Sequence, residues 1–147
     1  MEVFDDWVDL HDLSAVLFAD LDRFILFNDE YGHPQGDLLL IELANRLQTV
    51  IETRGLIART GGNEFCVLLK GGLQDSVHDI ATEILEAVNA PYVFGNNSYQ
   101  TRLSIGAVFP DKIKQDKQQI LINANKAMAS AKAVGGHCLK IWHNQIH

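Results

Sequence analysis

Acidic and amide side chains follow a short apolar run early in the chain. The run Leu13–Ala19 predicts a buried strand, and Asp20 and Asp22 come at its carboxyl end. A second feature is the turn Thr60-Gly61-Gly62-Asn63, followed by Glu64, whose glycines let the backbone approach a phosphate closely because they carry no Cβ. Carboxylate and amide oxygens are ligands for Mg²⁺, and a pair of such metals can activate a hydroxyl and neutralise a leaving phosphate. Taken alone, each feature is more typical of a turn cap or an ordinary hairpin.

The hydrophobic pattern indicates which elements position these residues. It predicts strands over 13–19, 56–59, 64–69, 99–109 and 137–142, and helices over 23–31, 36–52, 75–90 and 118–134. The order β-α-α-β-β-α-β-α-β favours an α+β fold with a central, antiparallel-containing sheet of five strands flanked by helices. In the turn at 60–63 we expect the glycines and the Asn to adopt positive φ. The length predicts one domain over 1–147, with a core from about 13 to 142.

The composition argues against several classes of function. Twelve Lys and Arg residues against nineteen Asp and Glu residues give a net charge of −7, which disfavours binding to duplex DNA or to an anionic membrane surface. No apolar run approaches the roughly 20 residues of a transmembrane helix, and no basic segment typical of a secretion signal precedes residue 13. Cys66 lies in an apolar run and predicts a buried thiol. We therefore expect a cytoplasmic location, either alone or as the cytoplasmic part of a larger protein.

Four motifs, in order and spacing, resemble those of the GGDEF (diguanylate cyclase) family. They are the segment 18–37, which holds Asp20, Asn28 and Asp37; the segment 59–65, RTGGNEF; Ser104-Ile105-Gly106; and the segment 124–135, which holds Lys132. The resemblance implies a palm-like fold related to adenylyl cyclases and polymerases. It also implies that two such domains, each holding one GTP, face each other and condense the nucleotides into cyclic di-GMP. The family's opening segment before the first strand has no counterpart in residues 1–12.

The resemblance implies roles for individual residues. The positions that match the metal site, for Mg²⁺ or Mn²⁺, are Asp20, the carbonyl of Leu21, Asn63 and Glu64. The positions that match phosphate contacts are Arg23, Phe24, Gly61, Gly62 and Lys132. Asn28 and Asp37 match the residues that recognise guanine, since an amide and a carboxylate can pair with its polar edge. Without the resemblance, Asn28 and Asp37 are equally explained as helix caps, and Lys132 as a solvated charge.

Three departures from the family pattern remove charge from the expected catalytic site. Asn63 stands where the family has an Asp or Glu that binds metal and acts as the base, and an amide cannot accept a proton at neutral pH. Ile25 replaces a lysine and Gly136 replaces an arginine. Losing one such preorganised group can cost about 10²–10³ in rate. We therefore expect impaired catalysis, with Asn63 and Glu64 at the catalytic positions of an otherwise maintained scaffold.

Three functions follow from these observations. The first is a degenerate GGDEF domain of cyclic di-GMP signalling, a regulatory or GTP-binding module that pairs with a second copy or with a neighbouring signalling domain. The second is an active diguanylate cyclase, in which Glu64 takes over the metal and base roles of residue 63. The third is a dimerisation or docking domain that binds no nucleotide.

Overall fold

A five-stranded sheet forms the centre of the computed structural model, which describes residues 13–110 and 116–143. Its strands are β1 (Leu13–Leu21), β2 (Gly55–Gly61), β3 (Glu64–Lys70), β6 (Leu103–Val108) and β7 (Leu139–Ile141), in the spatial order β2-β3-β1-β6-β7. The pairs β2–β3, β1–β3 and β1–β6 are antiparallel, and β6–β7 is parallel. The α+β class and the mainly antiparallel sheet predicted from the sequence are confirmed.

Helices cover both faces of this sheet. They are α1 (Phe24–Tyr31), α2 (His33–Ile51), α3 (Val77–Asn89), which follows a 3₁₀ turn at Gln74–Ser76, and α4 (Lys117–Ala133). Side chains of a strand alternate between its faces, so β1 contributes to two cores. Leu17 packs in the core formed with α2 and α3, whereas Val16 packs in the core formed with α4. Of the described helices, none combines the length and the apolar content that crossing a membrane requires.

Two boundaries differ from the sequence-based expectation by three residues or more. The strand predicted over 99–109 is wrong at its beginning, because Asn97–Tyr99 is a separate strand, β5, that pairs with β4 (Tyr92–Phe94) in a hairpin whose turn holds Gly95 at φ +61°. The second helix begins at His33 rather than at residue 36, because a proline is well tolerated in the first turn of a helix.

The turn between β2 and β3 also differs from expectation. Gly61, Gly62 and Asn63 do not adopt positive φ, so the left-handed conformations predicted for this turn are absent from it. The expectation that the family's opening segment has no counterpart in residues 1–12 concerns residues outside those that the structure describes.

The β4–β5 hairpin is tied to α2 and α3 by one arginine. Arg46 of α2 donates to the carbonyls of Ala87, Ala90 and Pro91 at 2.7–2.8 Å, and its guanidinium lies 3.6 Å from the centroid of the Tyr92 ring. These carbonyls lie in the last turn of α3 and directly after it, where backbone carbonyls have no helical N–H group to accept from. Arg46 therefore caps one helix and holds the hairpin with the same group.

Candidate functional site

The carboxyl end of β1 lies beside the turn of the β2–β3 hairpin, because Asp20 is paired with Glu64 in the antiparallel register. The Asn63 side-chain amide donates to the Asp20 carboxylate and, at 3.2 Å, to the Leu21 carbonyl. The Leu21 N–H donates in return to the Asn63 carbonyl at 3.4 Å. The sheet register thus brings together Asp20, Leu21 and Asn63, three of the residues that the sequence assigned to a metal site.

Lys132 reaches the same oxygens from α4. Its Nζ lies 3.5 Å from Asp20 Oδ1, 3.4 Å from Asp22 Oδ1 and 3.4 Å from the Leu21 carbonyl oxygen. Burial raises the pKa of Asp20, while the Lys132 ammonium lowers it and the nearby Glu64 carboxylate raises it further. The Lys132 ammonium therefore lies close to three oxygens, while 36% of its side chain remains exposed.

Asp22, for which the sequence motifs predict no role, connects β6, α4 and the segment before β7 at this site. Its Oδ1 accepts from Ser104 Oγ at 2.6 Å, and its Oδ2 accepts from the His137 N–H at 2.9 Å. His137 Nδ1 accepts from the Leu103 N–H at 3.1 Å, and burial lowers the pKa of His137. Asp22 directly follows β1, two residues after Asp20, and this pair of carboxylates at the end of a predicted strand is the sequence signal that indicates Asp22 alongside Asp20.

A second group of predicted residues lies between α1 and α2. The Asn28 Oδ1 is buried and has no hydrogen-bond partner in the structure. A Cβ at Gly36 would lie 1.8 Å from this oxygen, so only glycine at residue 36 leaves space for the Asn28 amide. Asp37 follows Gly36 in the first turns of α2 and is exposed. A buried acceptor without a donor costs about 1–3 kcal/mol.

The remaining predicted residues lie around these two groups. Arg23 is exposed at the N-terminus of α1 in the left-handed conformation, with φ +59°, and Phe24 begins that helix. Ile25 is 76% exposed on the same helix. A Cβ at Gly62 would meet nothing within 4 Å, whereas one at Gly61 would lie 3.3 Å from Glu64 Oε2.

The arrangement at Asp20 does not fit a divalent cation. In the part of the chain that the structure describes, no three His, Cys, Asp or Glu side chains are grouped so that they could hold a metal ion. Mg²⁺ requires a near-octahedral shell of oxygens, but here the Asp20 and Leu21 oxygens already accept from Asn63 and Lys132. The metal-binding role predicted for Asp20, Leu21, Asn63 and Glu64 stays a prediction.

Comparisons with known proteins agree on one family. The profile described as "Diguanylate cyclase, GGDEF domain" matches residues 5–138. MucR of Pseudomonas aeruginosa, a bifunctional diguanylate cyclase/cyclic di-GMP phosphodiesterase, is 37% identical over 126 residues, which cover 84% of this chain and 18% of MucR. The signaling protein YkoW of Bacillus subtilis is 34% identical over 125 residues, which cover 84% of this chain and 16% of YkoW. The chain thus spans less than a fifth of the length of these relatives.

Solved structures show the same fold. The crystal structure of the GGDEF domain of PA1120 (YfiN or TpbB) from P. aeruginosa superposes with a TM-score of 0.85 at 31% identity, over 92% of this chain and 85% of that one. An EAL/GGDEF domain protein from M. capsulatus gives a TM-score of 0.80 at 33% identity, over 88% of this chain and 84% of that one.

Proposed function

This chain belongs to the family of GGDEF domains, which act in cyclic di-GMP signalling, and from that premise we propose that it is a catalytically impaired member that binds a guanine nucleotide. It serves as a regulatory module and not as a source of cyclic di-GMP. GGDEF domains in general are nucleotidyl cyclases that use Mg²⁺. The proposal is that this chain keeps the nucleotide site of such a cyclase and has lost the chemistry.

One observation carries the loss of catalysis. At residue 63 an amide donates a hydrogen bond to the Asp20 carboxylate, where the family pattern has a second carboxylate. A donor at this point can neither accept a proton from a ribose hydroxyl nor add negative charge for a metal. Ile25, in place of the family lysine, offers only a hydrocarbon side chain to solvent. Neutral groups here cannot stabilise charge that develops on a phosphate.

Guanine binding is supported by two polar side chains, Asn28 on α1 and Asp37 on α2. The unpartnered Asn28 Oδ1 is an acceptor for the N–H groups on the polar edge of guanine, and the Asp37 carboxylate is a second one. Adenine presents a different set of donors and acceptors on that edge, so this pair favours guanine. Gly36 leaves room for the Asn28 amide, because any side chain there would displace it.

The phosphates are expected to lie near the N-terminus of α1 and the hairpin turn. We assign their contacts to the backbone amides of Arg23 and Phe24, to Gly61 and Gly62, and to Lys132. Gly62 leaves open space over its Cα, so a phosphate can approach the backbone of the turn. Any residual chemistry of a cyclase would have to use Glu64 in place of Asn63.

The parent protein and its assembly belong to the same proposal. Because the chain spans only 18% of MucR and 16% of YkoW, neighbouring signalling domains are expected partners, as is a second copy of the chain. A location in the cytoplasm agrees with a nucleotide ligand.

Calorimetry with nucleotides tests the binding. We expect saturable binding of GTP but not of ATP, and at least a tenfold loss of GTP affinity in Asn28→Ala and in Asp37→Asn. Asp29→Asn is the matched control, since it removes an exposed carboxylate from α1 next to Asn28. Absence of GTP binding at millimolar concentration would leave a docking domain, for which the exposed Ile25 and Leu26 are available.

Product analysis tests the loss of catalysis. The protein is incubated with GTP and either Mg²⁺ or Mn²⁺, and the nucleotides are separated by chromatography. We expect no cyclic di-GMP from the wild type and a gain on changing Asn63→Asp together with Ile25→Lys. A clear cyclic di-GMP peak from the wild type, lost in Glu64→Gln, would establish an active cyclase instead.

A further inference from the structure

Lys132 and Asn63 both contact oxygens at the carboxyl end of β1, beside the turn of the β2–β3 hairpin. The Lys132 ammonium is surrounded by Asp20 Oδ1, Asp22 Oδ1 and the Leu21 carbonyl oxygen, at 3.4–3.5 Å. The Asn63 amide donates to two of these same groups, the Asp20 carboxylate and the Leu21 carbonyl. We propose that the Lys132 ammonium is a built-in monovalent cation of this domain, which together with the Asn63 amide excludes a divalent metal from the Asp20 site.

A metal ion at Asp20 would first have to displace several hydrogen-bond donors. Each of the two oxygen groups that face the turn accepts from both Lys132 and Asn63. A divalent ion at Asp20 would therefore break four contacts and would lie beside an ammonium charge. At Asp22 a divalent ion would compete with three further donors, because this carboxylate accepts from Ser104 Oγ, the His137 N–H and Lys132.

The balance of charge leads to the same conclusion. The ammonium contacts two carboxylates, Asp20 and Asp22, and offsets one of their two negative charges; the Glu64 carboxylate lies nearby and adds to the negative charge around Asp20. An aspartate at residue 63 would add a further negative charge and remove the donor, which is the condition that favours a divalent ion. With a neutral amide at this position, one lysine is sufficient to hold the carboxylates together, so Asn63 and Lys132 act as a pair.

This inference deepens the proposed function, because it implies that the guanine site works without a divalent ion bound to the protein. It is tested with metal alone. Mn²⁺ is titrated into the nucleotide-free protein, and free Mn²⁺ is measured by electron paramagnetic resonance. The variants are Asn63→Asp, Lys132→Gln and the double change. Lys126→Gln is the control, since it removes a lysine from the same helix whose ammonium lies over the Trp142 ring.

We expect no stoichiometric Mn²⁺ binding by the wild type or the control, and an affinity at least about tenfold higher in the double variant, because two units of charge change within contact distance. Each single variant is expected to lie between these limits, and either is informative if the double variant does not fold. Millimolar Mg²⁺ should raise the melting temperature of the double variant but not that of the wild type.

Two results would overturn the inference: tight Mn²⁺ binding by the wild type, or a double variant that folds and binds no better than the wild type. Neither depends on nucleotide. If GTP fails to bind in calorimetry while the metal titration gives the expected difference, the proposed function fails and the internal cation stands.

Discussion

Restoring the family's arginine at residue 136 is expected to unfold the site that it is meant to repair. Gly136 has φ +78°, and a Cβ there would lie 2.4 Å from Asp22 Oδ2. A left-handed backbone costs an L-residue about 1–2 kcal/mol, and overpacking costs about 1–3 kcal/mol more. We therefore expect Gly136→Ala or Gly136→Arg to lower the free energy of unfolding by about 2–5 kcal/mol.

Two other glycines separate these contributions. Gly135 has φ +118° with open space over its Cα, so Gly135→Ala carries only the backbone strain. Gly62 has neither a positive φ nor a neighbour within 4 Å, so Gly62→Ala should leave stability unchanged or slightly higher. Urea unfolding followed by circular dichroism measures all of these variants. Equal stability of Gly135→Ala and Gly136→Ala would refute the role of the Asp22 contact.

Three further predictions concern stability and reactivity. Burial lowers the pKa of His137, so the unfolded chain binds a proton at this residue more readily than the folded protein does. The contribution of neutral His137 to the free energy of unfolding is therefore present above pH 6.5 and is lost as pH falls below it. Urea titrations from pH 7.5 to 5.5 should show this loss for the wild type and not for His137→Gln. Burial raises the pKa of Cys66 to about 12, so native protein should react with a thiol reagent at Cys138 alone and at both cysteines after unfolding. Arg46→Ala should cost about 2–4 kcal/mol, measured by thermal unfolding against Gln48→Ala on the same helix, because three carbonyls lose their donor.

The sheet was predictable where apolar residues form a clear pattern. The uninterrupted apolar run of β1 indicates a strand covered on both faces, and in the structure its residues pack in both cores, at the centre of the sheet between β3 and β6. The β4–β5 hairpin was not predictable, because each of its strands has three residues and Val93 is exposed, so no alternation marks it. The sequence pattern therefore predicted the end of β5 and the whole of β6 as one strand over 99–109.

The candidate site was only partly predictable. The motifs indicate Asp20, Asn63 and Lys132, but not that the amide and the ammonium converge on the same carboxylate, because that depends on side-chain directions across three elements. Asp22 was missed although it stands only two residues after Asp20, in the turn that directly follows β1. The space that Gly36 leaves for Asn28 could not be seen in the sequence either, since it requires the distance between two helices.

The position of β1 in the middle of the sheet has a consequence for synthesis on the ribosome. The contact between Asp20 and Asn63 spans 43 positions of the chain, and the one between Asp22 and Ser104 spans 82. This strand emerges before either of its neighbours; the edge that pairs with β3 waits until residue 70 is made, and the edge that pairs with β6 stays unpaired until the chain has grown past residue 108. Closing such long loops is slow, so the nascent segment is exposed to wrong pairings for longer than the helices are.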